Sequence, residues 1–458
     1  MIRKRIIYRC LLTHRSLHIM IKRIYIQLLT IIALVCYAGS LSAENYSLSP
    51  STIDRKVYVS LSETSAKCPM LVTNYGTSSI QSFEYALLFE GKVIQTKAYT
   101  FSKPLGKMEG VTVEIDVPPH HEISKTTLEL AITKVDGQPN SASIKSITFP
   151  RQTVKKVPHR RIVVEEYTRM SCQYCPRGLA LMENLLNTYP NDVIGIVVHT
   201  SRDALHCQDY ASKARDYSSR PTLVMNRNLF LPYHKANAEF EEEKTKGADM
   251  DIEISAKWDI EKENITVIPR VTFCLDREDA PYGFAYVLIE DGMSHPSWAQ
   301  ANAYSGRTVD SGITKELDFF INSPYELRGY VNNSVAIAAE GVTYPLRGYI
   351  QTPIIANETQ SHEYVFRNIS RKTIIQDKAK LSVCVLLINL QTGQIENAAK
   401  CSIDDATATS IVPLSQKLLN TIEVARYTID GCRILTPQKG INIVTYSDGS
   451  VRKEVVTE

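Results

Sequence analysis

The sequence predicts a multidomain protein in which an α/β domain is flanked by two all-β sandwiches and followed by a short C-terminal β tail. Three observations lead there. At 458 residues the chain exceeds what one hydrophobic core can serve and suggests about three domains. Apolar and polar residues alternate across 44–157 and again across 248–408, the period of half-buried strands. Between them the rhythm changes: a buried strand, Ile162–Tyr167, leads through Ser171-Cys172-Gln173-Tyr174-Cys175-Pro176 into a helix expected over 173–188.

The first 43 residues hold seven Lys or Arg, no Asp or Glu, and an apolar run from Ile24 to Tyr37 that ends near Ser40-Leu41-Ser42-Ala43. This is the composition of a secretory signal peptide. Its basic part is long, and Met20-Ile21-Lys22-Arg23 offers a second start. Cys36 raises a lipoprotein alternative, against which Val35 stands where a small residue is wanted. Without this segment, 52 basic against 49 acidic residues become 45 against 49, so the basic balance belongs to targeting and no nucleic-acid partner is expected. No later apolar run reaches the ~18 residues of a membrane-spanning helix. The expected location is therefore periplasm, outer membrane or cell surface, where the eight remaining cysteines can form disulfides.

In 44–157 the alternation runs through Val57, Val59 and Leu61; Phe83, Tyr85, Leu87 and Phe89; Val111, Val113, Ile115 and Val117; and Leu128, Leu130 and Ile132. Turn signals at Asn74-Tyr75-Gly76, Glu90-Gly91-Lys92 and Asp136-Gly137 separate these strands, as in an antiparallel sandwich of immunoglobulin type. No catalytic constellation occurs here, and His120-His121 reads as a surface pair.

After the cysteine motif come an apolar run from Val193 to Val198, a polar helical stretch, and Arg220-Pro221-Thr222 opening a strand over Leu223–Met225. The order over 158–247 resembles thioredoxin. The wording Val-Glu-Glu-Tyr-Thr before Cys-x-x-Cys-Pro-Arg-Gly, and Pro-Thr-Leu-Val-Met-Asn-Arg after it, resembles the 28-kilodalton outer membrane protein family of Bacteroidetes, which couples a thioredoxin-like domain to β-domains. The resemblance implies that Pro221 is a cis-proline packed against the disulfide. It implies that Glu166, six residues before Cys172, holds the place of a buried acid that exchanges protons with the resolving cysteine. It also implies that the Arg220 backbone approaches the disulfide, with its side chain either favouring the Cys172 thiolate or extending into solvent. Glu165 and Glu166 alternate in a strand, so only one of them is expected to point inward.

The chemistry follows from the spacing. Cysteines three apart at a helix start share a face, and the first lies near unpaired N–H groups and the positive end of the helix dipole, which lowers its thiol pKa. Cys172 is the expected nucleophile, Cys175 the resolving thiol, and Pro176 loses nothing in the first turn. A zinc site drawing on His199, His206 or Cys207 is the rival reading, but no second Cys-x-x-Cys appears. Ser171 stands where thioredoxins carry Trp.

The second β-domain, 248–408, alternates through Ile252, Ile254, Ala256 and Trp258; Ile265, Val267, Val271 and Phe273; and Phe284, Tyr286 and Leu288. A two-residue turn at Thr392-Gly393 would set Cys384 opposite Cys401, a pair expected to form a structural disulfide. The tail, 409–458, with Tyr427-Thr428-Ile429-Asp430-Gly431 and Pro437-Gln438-Lys439-Gly440, resembles the C-terminal sorting domains of type IX secretion. The roles of Cys68, Cys207, Cys274 and Cys432 stay open. The expectation is an exported thiol–disulfide oxidoreductase, without cofactor or metal, acting on thiols or disulfides of other exported proteins. The alternative is a non-catalytic outer-membrane or surface binding protein that uses the same fold as a scaffold.

Overall fold

The computed structural model describes residues 45–200, 203–405, 423–428, 431–434, 436–446 and 451–456. The expected signal peptide, with Cys36, lies outside the described residues. The protein is predominantly β, with several sheets, in keeping with a multidomain arrangement of β-sandwiches.

The N-terminal part is a sandwich of a six-stranded and a three-stranded sheet. Val59, Met70, Phe83, Leu87, Ile115, Leu130 and Phe149 meet in its core, so the alternating residues of both sheets converge as the pattern requires. Glu90 and Gly91, with φ of 51° and 74°, and Asp136 and Gly137, with 47° and 76°, make the tight hairpin turns that need a left-handed backbone.

The centre is one eight-stranded mixed sheet. Its strands in chain order are β1 (Ile162–Thr168), β2 (Val193–His199), β3 (Thr222–Met225), β4 (Leu229–Phe230), β5 (Tyr282–Glu290), β6 (Val335–Glu340), β7 (Leu381–Asn389) and β8 (Ile395–Ser402). Their order across the sheet is β4-β3-β1-β2-β6-β5-β7-β8. β1 and β2 are parallel, joined by helix α1 (Pro176–Thr188), and β3 returns antiparallel to β1. The expected boundary at 247/248 does not separate two sheets: β5 to β8, read as part of a second sandwich, continue the sheet begun by β1 to β4. Alternation cannot tell the two apart, because a strand has the same period whichever sheet it joins.

Both faces of this sheet are covered. On one, α1, α2 (Ala236–Lys244) and α3 (Lys315–Ile321) pack through Leu179, Met182, Leu185, Phe240 and Phe320 against Val164, Val197 and Leu223. Beyond them a small sheet built on Met250–Trp258 and Ile265–Phe273 covers Phe284, Tyr286, Val383 and Val385. On the opposite face, Cys207, Tyr210 and Ala214, from short 3-10 turns, cover Val163, Tyr167 and Ile196. Glu165 and Glu166 are therefore both fully buried, and the expectation that one would face water is overturned.

The predicted Cys384–Cys401 bridge is absent. Asn389 N–H bonds Gln394 O (2.9 Å), so the loop spans 390–393 rather than two residues, and a bulge beside Leu387/Ile388 shifts the register. Cys384 then faces Lys400, Cys401 faces Val383, and the two thiols point to opposite faces. The described tail residues form a four-stranded sheet. Among the described residues no helix is long and apolar enough to cross a membrane.

Candidate functional site

The site lies where β1 runs out into residues 169–175. Cys172 and Cys175 are joined by a disulfide, with Cα atoms 5.3 Å apart; Cys172 is half-buried and Cys175 sealed. A turn carries the pair into the helix: Cys175 N–H donates to Cys172 O at 3.1 Å, and Cys175 O accepts from Gly178 N at 2.9 Å and Leu179 N at 3.1 Å. The helix begins at Pro176, later than the sequence suggested, and proline there sacrifices no backbone donor.

The Arg220–Pro221 peptide is cis, and Arg220 O lies 3.5 Å from Cys172 Sγ. Contact with the sulfur is thus made by the main chain. The guanidinium does not extend freely into solvent: it lies over the Tyr167 ring at 5.9 Å and donates to Tyr217 O at 2.7 Å and Ala214 O at 3.0 Å.

Glu166 points from β1 toward α1. Neither carboxylate oxygen has a hydrogen-bond partner of good geometry, and burial pushes its pKa up to about 8, with the Thr168 hydroxyl pulling weakly the other way. Gly178 makes the space for it. A Cβ there would lie 2.6 Å from Glu166 Oε1 and 2.7 Å from Pro221 Cβ, so the acid, the cis-proline and the first turn of α1 meet at one point. Tyr233 stands near enough to feel the charge: burial first, and Glu166 second, push its phenol up to about 12.

Glu165, on the other face, accepts from Arg227 Nε at 2.9 Å, Arg227 Nη2 at 2.8 Å and Tyr210 Oη at 3.1 Å. Among the described residues, the ligands considered for zinc do not gather with Cys172 and Cys175 into one metal-holding group. His199 Nδ1 is 3.2 Å from Asp203 Oδ1, His206 Nδ1 meets His199 O at 3.2 Å, and Cys207 is a free thiol that burial pushes up to about 11. Cys68, Cys274 and Cys384 are likewise buried free thiols.

Sequence reasoning missed one wall of the site. Between β5 and β6, residues 291–334 form an arm that reaches back to the motif. Ala301 N–H donates to Met170 O and Ala303 N–H to Gln173 O, both at 2.8 Å. Gln300 Nε2 donates to Cys172 O at 3.2 Å, and Tyr325 Oη to Gln173 Oε1 at 3.1 Å. These partners lie some 130–150 residues along the chain from the motif, and no local pattern announces such pairing.

No protein-family model and no curated protein matches this chain. Among solved structures it is similar to HBP35 of Porphyromonas gingivalis, at 14% identity over 66% of this chain and 99% of that one, with a TM-score of 0.40. It is also similar to a domain of the outer membrane lipoprotein Omp28 from the same organism, at 10% identity over 35% and 92%, TM-score 0.19. A third is a protein from Agrobacterium tumefaciens, at 12% identity over 56% and 98%, TM-score 0.28. At these scores the likenesses do not extend to function.

Proposed function

We propose that the protein is an exported thiol–disulfide oxidoreductase built on a thioredoxin-like domain, with Cys172 as nucleophile and Cys175 as resolving thiol. The observation that carries this reading is a single cluster: a Cys172–Cys175 disulfide at a helix start, the cis Pro221 beside it, and the buried, unpartnered Glu166 beneath Gly178. A structural bridge needs no buried acid against the helix that carries it.

In the oxidising direction, a substrate thiolate attacks Cys172 Sγ, forming a mixed disulfide and expelling the Cys175 thiolate, which takes a proton from protonated Glu166. A second substrate thiolate then attacks the substrate sulfur of the mixed disulfide, and Cys172 leaves as thiolate. The substrate is oxidised by two electrons and the cysteine pair reduced. The reverse sequence reduces a substrate disulfide, with the Glu166 carboxylate accepting the Cys175 proton. With a pKa of about 8, Glu166 holds both protonation states within reach of neutral pH. The substrates are exported proteins, reached through export directed by residues 1–43 and a sorting tail at 409–458.

The second reading is a non-catalytic surface or outer-membrane binding protein whose Cys172–Cys175 bridge is static. The arm bonded to the motif loop favours it, since it restrains the segment that must rearrange in exchange.

Glutathione titration with mass-spectrometric alkylation separates the two. A catalytic pair equilibrates between about −120 and −270 mV, whereas a structural bridge lies below about −300 mV. Cys175→Ser should in addition accumulate mixed disulfides at Cys172; a couple that resists glutathione throughout would sink the enzyme reading.

A further inference from the structure

The arm 291–334 is held rigidly against the scaffold on its far side. Asn302, fully buried, donates to Phe320 O at 2.7 Å and Pro324 O at 3.2 Å and accepts from Tyr304 N at 3.1 Å, which ties the middle of the arm to the end of α3. α3 is tied to α1 through Glu316, whose carboxylate accepts from Asn184 at 3.2 Å and Asn187 at 3.0 Å. At the near side sits Gln300, 2% exposed, its Nε2 shared between Cys172 O (3.2 Å) and Ala301 O (2.9 Å) and its Oε1 without a partner.

An amide buried with one end unpaired is poor packing, and leucine would fill the same volume without that cost. What the amide supplies is an N–H dipole aimed at the carbonyl of the nucleophilic cysteine. Its positive end faces the residue that must carry negative charge when the disulfide opens, and in a buried setting such a dipole is weakly screened.

We propose that Gln300 is a positioning residue for Cys172: by bonding its carbonyl, the arm fixes the motif loop and favours the Cys172 thiolate, so that the arm sets how oxidising the pair is. This rests on the thiol–disulfide reading above. The sign follows. Loss of the donor disfavours the thiolate, raises the Cys172 pKa, makes the disulfide the more stable partner and the couple more reducing.

The test is the pH profile of iodoacetamide alkylation of Cys172 in the full chain reduced with a phosphine, together with the equilibrium constant against glutathione, for wild type, Gln300→Leu and Gln300→Glu. Gln300→Leu should slow alkylation at pH 7 by about threefold to tenfold and move the glutathione constant by a similar factor, a tenfold change being ~30 mV. Gln300→Glu, which adds a negative charge of nearly the same shape, should slow it more than tenfold. Tyr344→Phe, at an exposed ring outside the site, should leave the profile in place. Rates for both Gln300 variants within twofold of wild type would overturn the proposal. So would equal slowing in both accompanied by equal loss of melting temperature, the mark of a merely structural residue. A wild-type pair that resists glutathione defeats the enzyme reading on its own, while the alkylation profiles of the reduced proteins still decide the role of Gln300.

Discussion

The two faces of the central sheet treat adjacent carboxylates in opposite ways. On the face covered by the 3-10 turns, Glu165 is bonded twice by Arg227 and once by Tyr210, and its charge is fully compensated. On the face covered by α1, Glu166 is as deeply buried, and neither of its oxygens has a hydrogen-bond partner of good geometry. Burial alone therefore does not decide what a carboxylate does in this protein. The first face spends its acid on holding β1 to the Asn226-Arg227 turn. The second leaves its acid without an ion-pair partner, against the first turn of α1 at Gly178, with a raised pKa. An uncompensated buried group is costly to keep, and this one is placed beside Gly178, Pro221 and the cysteine helix, the setting on which the proposed proton transfer rests.

The comparison breaks most sharply at the compensated site. Glu165→Ala leaves the Arg227 guanidinium, 3% exposed, buried without its carboxylate, and should destabilise the fold by about 3–5 kcal/mol in denaturant unfolding. Replacing both partners by apolar residues, Glu165→Leu with Arg227→Met, should recover most of that loss, because the large penalty belongs to the orphaned charge rather than to the missing bond. A single-variant cost below ~1 kcal/mol would mean that water reaches Arg227 and that the two faces are not as different as their geometry indicates.

These contrasts were only partly legible in the sequence. The cysteine motif, the proline at 221 and the acid at 166 stand in local order along one strand–helix–strand path, and the structure brings them together. Tyr282–Glu290 also carried a signal that alternation obscured: Tyr-Gly-Phe-Ala-Tyr-Val-Leu-Ile-Glu is a continuous apolar run, the mark of a strand buried on both faces, and every residue in it is buried. Reading only Phe284, Tyr286 and Leu288 gave it a wet face and a sandwich of its own. The Cys384–Cys401 pairing failed on a loop two residues longer than expected together with a bulge at Leu387/Ile388, which changes the parity of the register and which no residue type in that hairpin announces. The compensation of Glu165 by Arg227, 62 residues away, and the Gln300 contact depend on chain topology rather than on local pattern.

The uncompensated site should show itself as a pH dependence. Because the folded pKa of Glu166 lies above the unfolded value of 4.5, the folded state holds the proton more tightly, so stability falls as pH rises from about 4.5 to about 8 and is level beyond. At ~1.4 kcal/mol per pKa unit the shift sets a ceiling of about 5 kcal/mol. Glu166→Gln abolishes the titration but buries an amide with no ready partner, so the net gain at pH 8.5 should be about 2–3 kcal/mol, shrinking toward pH 5 and changing sign there. The measurement is the difference in unfolding free energy between variant and wild type across that range. A flat difference would show that Glu166 is ionised in the folded protein at neutral pH, which would also remove its place as proton carrier to Cys175.

The smallest expected effect on stability is at the residue that brings the two halves of the site together. Gly178→Ala adds a methyl group 2.6 Å from Glu166 Oε1 and 2.7 Å from Pro221 Cβ, both closer than packed atoms allow. Alanine is the better helix former by about 1 kcal/mol, so in an open position the change would stabilise α1. Here overpacking should outweigh that gain and leave a net loss of about 1–2 kcal/mol. The more telling consequence is chemical: to make room, either the carboxyl swings from beneath the helix or α1 lifts from the cis-proline, and both moves change where Glu166 stands relative to the helix that carries Cys175. Stability and exchange then part company. Glu166→Gln should raise stability at pH 8.5 and slow thiol exchange, while Gly178→Ala should lower stability and slow exchange by a comparable factor. If Gly178→Ala instead destabilises the fold with exchange kinetics intact, the acid is packed against the helix without acting through it, and Glu166 becomes as structural as Glu165.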